Sequence, residues 1–175
     1  LIKKENDIFE ILQKFVDAEL NFVLVGGYAV SSYKHRFSVD ADIVIPIDEL
    51  SKFELVLKDN EFKKTISKEL ENIYSSKFIR YEKESASIDI LVGAIASRQT
   101  NASFSYELLL KNSSNRKVIG IEKEVSTNIP SREMLIITKL HSGRLTDFRD
   151  IAALARDSDL EVIRRFLFIG NLEVL

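Results

Sequence analysis

The stretch that decides the fold is FVLVGGYAVSSYKHRFSVDADIVI, Phe22 to Ile45. An apolar run ends on adjacent glycines, Gly26 and Gly27, and twelve residues later Asp40 and Asp42 stand one residue apart in a second apolar run. Phe22–Val25 reads as a short strand, Tyr28–Lys34 as a helix starting after the glycines, and Asp40–Ile45 as a β-branched strand stopped by Pro46. Side chains at i and i+2 of a strand share a face. Asp40 and Asp42 therefore project together, about 6.5–7 Å apart along the strand. At about 4 Å between charged oxygens, their repulsion costs on the order of 4 kcal/mol at an effective dielectric near 20. A hard divalent cation offsets that directly, and Mg²⁺ takes one or two carboxylates together with substrate phosphates.

Asp89, in SASIDILVG, is a third charge inside an apolar strand. If that strand lies beside Asp40–Ile45, Asp40, Asp42 and Asp89 converge as the metal-binding and catalytic acids of a two-metal phosphoryl or nucleotidyl transfer. Gly26 and Gly27 supply the complement: a tight turn that lets backbone approach a ligand, followed by a helix start whose N–H groups face a phosphate. Each piece also has a plainer reading. A glycine pair after a strand is usually a turn, and charged strand residues often guard an exposed edge. The joint order of strand, Gly-Gly, helix, Asp-x-Asp strand and later Asp carries the functional reading.

Working outward, residues 3–20 read as an amphipathic helix with Asn21 as its stop. Asp48 reads as the N-cap of a helix over 49–59. Phe78–Tyr81 and Ser87–Val92 are strands joined by a turn at Glu82–Ala86. Leu108–Leu110 end a short helix, KNSSN is a loop, and Val118–Ile121 with Val125 form a short hairpin. The last third is helical, with Ser131, then Thr146 or Asp147, then Ser158 (with Glu161 in capping-box spacing) opening successive helices. The fold class is α/β or α+β: a small mixed sheet flanked by helices, a core over 1–125 and a C-terminal helical segment over 126–175 packed on it as one unit.

Composition agrees with one ordinary domain: the chain has 175 residues and is 45% hydrophobic. With no cysteine, disulfides and thiolate metal sites are excluded. Lys and Arg total 25 against 27 acids, a net charge of −2, so no general basic field favours indiscriminate nucleic-acid binding. No apolar run approaches a membrane span, and the charged LIKKEND start is not a signal peptide, so the expected location is cytoplasmic. The sequence begins on Leu and ends abruptly on apolar IGNLEVL, so the expectation is a segment of a longer chain. His35 and His141 are too few and too separated for a zinc site. P-loop and dinucleotide-fold motifs are absent.

Val25-Gly26-Gly27, twelve residues, then Asp40-Ala41-Asp42-Ile43 resembles the signature of the DNA polymerase β-type nucleotidyltransferase superfamily, with Asp89 at its third carboxylate. Within it, GGYAV and HRFSVDADIVI look like the minimal bacterial and archaeal enzymes, AbiEii-type nucleotidyltransferases included, whose Arg-x-Thr/Ser-x-Asp-x-Asp segment Arg36 and Ser38 match. PSREMLIITKLHSGRLTDFRDIAAL resembles a second family block, in which Lys139, Asp147 and Asp150 match. The resemblance implies the nucleotidyltransferase fold and Mg²⁺-dependent transfer of a nucleoside monophosphate from an NTP to an acceptor hydroxyl. It implies nucleotide-binding roles for Gly26, Gly27, Arg36, Ser38 and Lys139, and an RNA (such as tRNA), protein or small-molecule acceptor. A toxin–antitoxin partner, or a catalytically inactive binding module of the same fold, is the alternative. Thr146 stands where the family usually has a basic residue. Read from the residues alone, Lys139 snorkels from an apolar helix, Asp147 caps a helix, and Asp150 pairs with Arg144 or Arg149.

Overall fold

The computed structural model describes residues 2–69, 77–97 and 99–168. Helix α1 (Ile2–Asp17) leads into β1 (Val23–Val25), α2 (Gly26–Ser31) and β2 (Ala41–Ile45). Then follow α3 (Leu50–Asp59), β3 (Lys63–Glu69), β4 (Lys77–Lys83) and β5 (Ala86–Val92). A two-stranded ribbon, β6 (Ala94–Ala96) with β7 (Ser103–Ser105), precedes α4 (Tyr106–Lys111). Strands β8 (Ser113–Ile119) and β9 (Glu124–Pro130) precede α5 (Arg132–Ser142), α6 (Leu145–Ala155) and α7 (Leu160–Leu167).

Among the described residues the main sheet has seven strands in the order β3-β4-β5-β2-β1-β9-β8. It is mixed: β2 runs parallel to β5 and β1 parallel to β9, while the other neighbours are antiparallel. This is the small mixed sheet flanked by helices expected from the sequence. The strand alternation divides the core between two faces. Leu24, Ile43, Ile45, Ile88 and Ile90 pack with α1 and α3 through Ile8, Leu12, Phe15, Phe53 and Leu57. Val23, Val25 and Val44 face the other way, toward Phe104, Leu109, Met134 and Ile137. Phe15, Phe22 and Phe53 meet edge to face, centroids 4.9–6.2 Å apart.

Several local expectations are corrected. Helix α1 ends at Asp17 rather than at residue 20, because Glu19 takes a left-handed φ of 52° and Asn21 turns to bond Glu49. The helix after the glycines starts on Gly26 and ends at Ser31. Asp48 caps nothing: a 3-10 turn, Ile47–Glu49, precedes α3, and no side chain caps it. The KNSSN segment is mostly strand β8, and the short hairpin around Val118 extends over residues 113–130. Its five consecutive polar residues, Ser113 to Lys117, sit on an edge strand that solvent reaches. Strand β3 has six exposed positions of seven, four of them Lys or Glu, the composition that keeps an edge from pairing with other chains. Helix α7 is capped by Asp159, whose carboxylate accepts from Glu161 and Val162 N–H, not by Ser158. Ser131 caps α5 as expected, accepting from Met134 N–H.

Candidate active site

The parallel pairing of β2 with β5 sets Asp42 opposite Asp89. Strand alternation puts both on the face of Val44 and Leu91, the face covered by α5. Asp40 lies just outside β2, one residue before its first position, not within the strand. A positive φ of 64° at Gly26 turns the chain from β1 into α2, and a β-carbon there would collide with Asp42 Oδ2. Glycine therefore lets the backbone press against the carboxylate. At Gly27 a β-carbon would strike Ser38 Oγ and come within 2.9 Å of Arg36. Ser38 is buried, and its carbonyl accepts from Tyr28 Oη at 3.1 Å. Tyr28 thus packs within the core rather than presenting a free ring.

The three acids sit in different electrostatic surroundings. Asp42 is raised to about 7 by desolvation first, then by Asp40 and Asp89, with Arg144 and Lys139 pulling the other way. Asp89, 4% exposed, is also raised by burial, against the pull of Arg80. Arg80 on β4 forms a bidentate pair with Asp89, Nε and Nη2 each at 2.7 Å, and its Nη2 also reaches Asp40 Oδ2 at 3.3 Å. A guanidinium therefore bridges Asp89 to Asp40, the geometry that a planar fork makes with carboxylates. Among the described residues no three acidic or imidazole groups gather closely enough to hold a metal ion. The donor chemistry of Asp40 and Asp42 still fits a hard cation, since both are carboxylates and they stand two residues apart at the start of β2.

Arg80 is the site residue that the sequence reading missed. The signal lay in the hairpin: a two-residue turn at Glu84–Ser85 pairs Lys83 with Ala86, and counting back pairs Arg80 with Asp89.

Lys139 is buried, with its ammonium held by Asp147 at 3.1 Å and Asp150 at 2.5 Å. Asp150 also receives both of its oxygens' contacts from Arg36 Nη1 at 2.5 Å, so its partners are Arg36 and Lys139, not Arg144 or Arg149. Asp147 stands at the third position of α6, where it accepts from Arg144 N–H at 3.1 Å and from Arg144 Nε at 3.0 Å. Arg144, not Thr146 or Asp147, is the N-cap. Burial opposes the Asp147 charge, but bonds from Arg144, Ser142 and Lys139 bring it down to about 2. Of the sequence-predicted site residues, Arg36 and Lys139 thus meet through Asp150, while Asp42 and Lys139 line one cleft.

That cleft is about 390 Å³. Its lining includes Gly26 and Asp42, the cations Lys139 and Arg144, and the apolar Leu91 and Ile95. Such a volume, lined by apolar and charged groups, suits a nucleotide-sized ligand. His141 stands apart: fully buried, it bonds Thr100 through Nδ1 and the Leu167 carbonyl through Nε2. A carbonyl only accepts, so Nε2 carries the proton and Nδ1 accepts from the Thr100 hydroxyl. His141 is structural.

No protein-family model and no curated protein sequence matches the chain. Solved structures do. The lincosamide antibiotic adenylyltransferase LnuA, lincomycin-bound, matches with a TM-score of 0.59 at 20% identity, over 88% of this chain and 98% of that one. The antibiotic-resistance factor ANT(2'')-Ia matches with a TM-score of 0.66 at 14% identity, over 93% and 88%. Its complex with adenylyl-2''-tobramycin matches with a TM-score of 0.61, over 90% of each chain. Identities this low speak to architecture, and with the seven-stranded mixed sheet and its flanking helices they establish that this chain has the nucleotidyltransferase fold.

Proposed function

We propose that the protein transfers a nucleoside monophosphate from an NTP to an acceptor hydroxyl, releasing pyrophosphate. The observation that carries this reading is the register of Asp42 with Asp89, Asp42 itself lining a cleft together with the positive-φ Gly26. Asp40 and Asp42 would hold Mg²⁺, which when bound supplies charge stabilisation to the triphosphate. Asp89, held by Arg80, would be the carboxylate that accepts the proton of the acceptor hydroxyl. The α2 backbone beside Gly26 and Gly27 faces the phosphates. Arg144 and Lys139 supply cationic charge along the cleft wall, and a nucleotide reaching Lys139 would compete there with Asp147 and Asp150. Ser38 and Arg36 support the turn from beneath Gly27.

The neighbours named for adenylylation of lincosamide, or solved with adenylylated tobramycin, favour a small hydroxylated acceptor, and the chain spans almost the full length of LnuA. RNA and protein hydroxyls, as in AbiEii-like relatives and toxin–antitoxin pairs, belong in the same assay. In it the protein is incubated with each α-labelled NTP, Mg²⁺ and a panel containing lincomycin, tobramycin, tRNA and a total-protein fraction. Label should move to one acceptor class with stoichiometric pyrophosphate, and D42N should abolish it. Transfer that survives in a D40N/D42N protein would defeat the assignment.

One observation favours a second reading. Arg80 already neutralises Asp89 and touches Asp40, as a nucleotide-binding module without catalysis would allow. Calorimetry separates the two, since the module takes up nucleotide and never yields pyrophosphate.

A further inference from the structure

A second hollow, about 410 Å³, lies between the segment that leaves α2 and one face of α6, and it shares no lining residue with the nucleotide cleft. Thr146, Arg149, Asp150 and Ala153 line it from α6, at the spacing that keeps side chains on one helical face. Lys34, Arg36 and Phe37 close it from the other side. Three cationic side chains, Lys34, Arg36 and Arg149, thus face one carboxylate.

That carboxylate is spent. Asp150 is buried and accepts from Arg36 on one side and Lys139 on the other, each at 2.5 Å. It has no charge left to repel an anion. The side chains of Lys34 and Arg149 have no hydrogen bond or ion pair among the described residues. Many other surface cations do have acidic partners, as in Lys3–Glu84, Lys64–Glu54, Lys117–Glu124 and Lys123–Glu10. In a chain with more acids than bases, an acid-poor concavity of this kind is a local positive field. Arg149 offers a guanidinium fork matched to phosphate oxygens, Lys34 a point charge and Thr146 a hydroxyl, while Arg36 stays tied to Asp150 and the Phe37 carbonyl. Val30, Phe37 and Ala153 give the hollow an apolar side beside the charges.

We infer that this hollow is a second binding site, specific for a phosphate-bearing small molecule whose organic part rests on Phe37. The site is independent of whether the neighbouring cleft transfers nucleotides. It is tested by isothermal titration of the protein with inorganic phosphate and with phenyl phosphate, at fixed ionic strength in chloride. Wild type should bind, and K34Q/R149Q should bind at least about tenfold more weakly, the loss expected when charge-assisted bonds are removed. Both substituted side chains are exposed and unpartnered, so the variant should keep the wild-type melting temperature and its affinity for ATP. R149E alone should weaken phosphate further than R149Q. Tighter binding of phenyl phosphate than of inorganic phosphate supports an organic phosphate resting on Phe37, and equal binding of the two overturns that part of the inference. Unchanged phosphate affinity in K34Q/R149Q, or no binding by wild type, overturns the inference.

Discussion

Asp42 is the residue on which the pH behaviour of the site turns. Its carboxyl titrates near 7 in the folded chain because burial, Asp40 and Asp89 all disfavour the charge. The unfolded chain ionises it near its ordinary value, so between about pH 4 and 7 the folded state holds more proton and stability falls as pH rises. D42N removes that slope. It should melt a few degrees above wild type at pH 8, with the gap closing toward pH 5, as about 1–2 kcal/mol would give in a domain of this size. Differential scanning calorimetry across that range checks it, and parallel curves for the two proteins would mean that the Asp42 charge is compensated. At this scale the sequence was informative about residue type and poor about partners. Two acids among apolar residues stood out in the sequence because packing alone does not call for them. Arg80 was missed because its partner is nine positions away and a turn read as Glu82–Ala86, rather than the two residues Glu84–Ser85, does not pair them.

Among the elements, the contact of α5 with α6 is an internal ion network rather than an apolar seam alone. Lys139 lies between Asp147 and Asp150, and Arg144 and Arg36 flank the pair. Removing the central cation leaves two buried carboxylates short of a partner, which costs about 3 kcal/mol or more. K139A should therefore lower the melting temperature by roughly 6–12 °C, on a scale of about 2–4 °C per kcal/mol. D150N should cost less, because Lys139 keeps Asp147. Chemical denaturation of both variants and the double variant measures the coupling; a K139A protein as stable as wild type would show that packing alone joins the helices. The periodicity of α5 was legible, since Leu135, Ile136, Ile137 and Leu140 mark its apolar side. That Lys139 turns inward was not, because a lysine in an apolar helix reads equally well as snorkelling or as paired until a second helix supplies carboxylates.

At the scale of the whole molecule, His141 links three parts: α5 itself, the loop that carries Thr100, and the end of α7 at Leu167. Burial holds its imidazole below the ordinary value, against the bond to the Leu167 carbonyl, so it folds neutral. The unfolded chain takes up the proton more readily, and this contribution is fully present above about pH 6.5 and is lost as pH falls. Its sign is opposite to that of Asp42, so each variant must be compared with wild type separately. H141Q should flatten the acid-side loss between pH 7 and 5, and the amide protection factors of α7 in wild type, corrected for the intrinsic exchange rate, should fall over the same interval. Exchange in α7 that ignores pH would show that Ile163 and Phe166, not His141, hold that helix.

Local chemistry determined a good deal by itself. Short β-branched apolar runs made strands, Gly-Gly demanded a turn and Ser131 capped a helix, because each depends on near neighbours in the chain. Tertiary structure alone decided that Asp89 faces Asp42, that Arg80 bridges it to Asp40, that polar Ser113–Ile119 is an edge strand, and that Lys139 is consumed by two acids of the next helix. Those outcomes depend on register and on crossings between distant segments, and the energy of an ion pair or a strand pairing is set by who arrives opposite, which no single stretch of residues encodes.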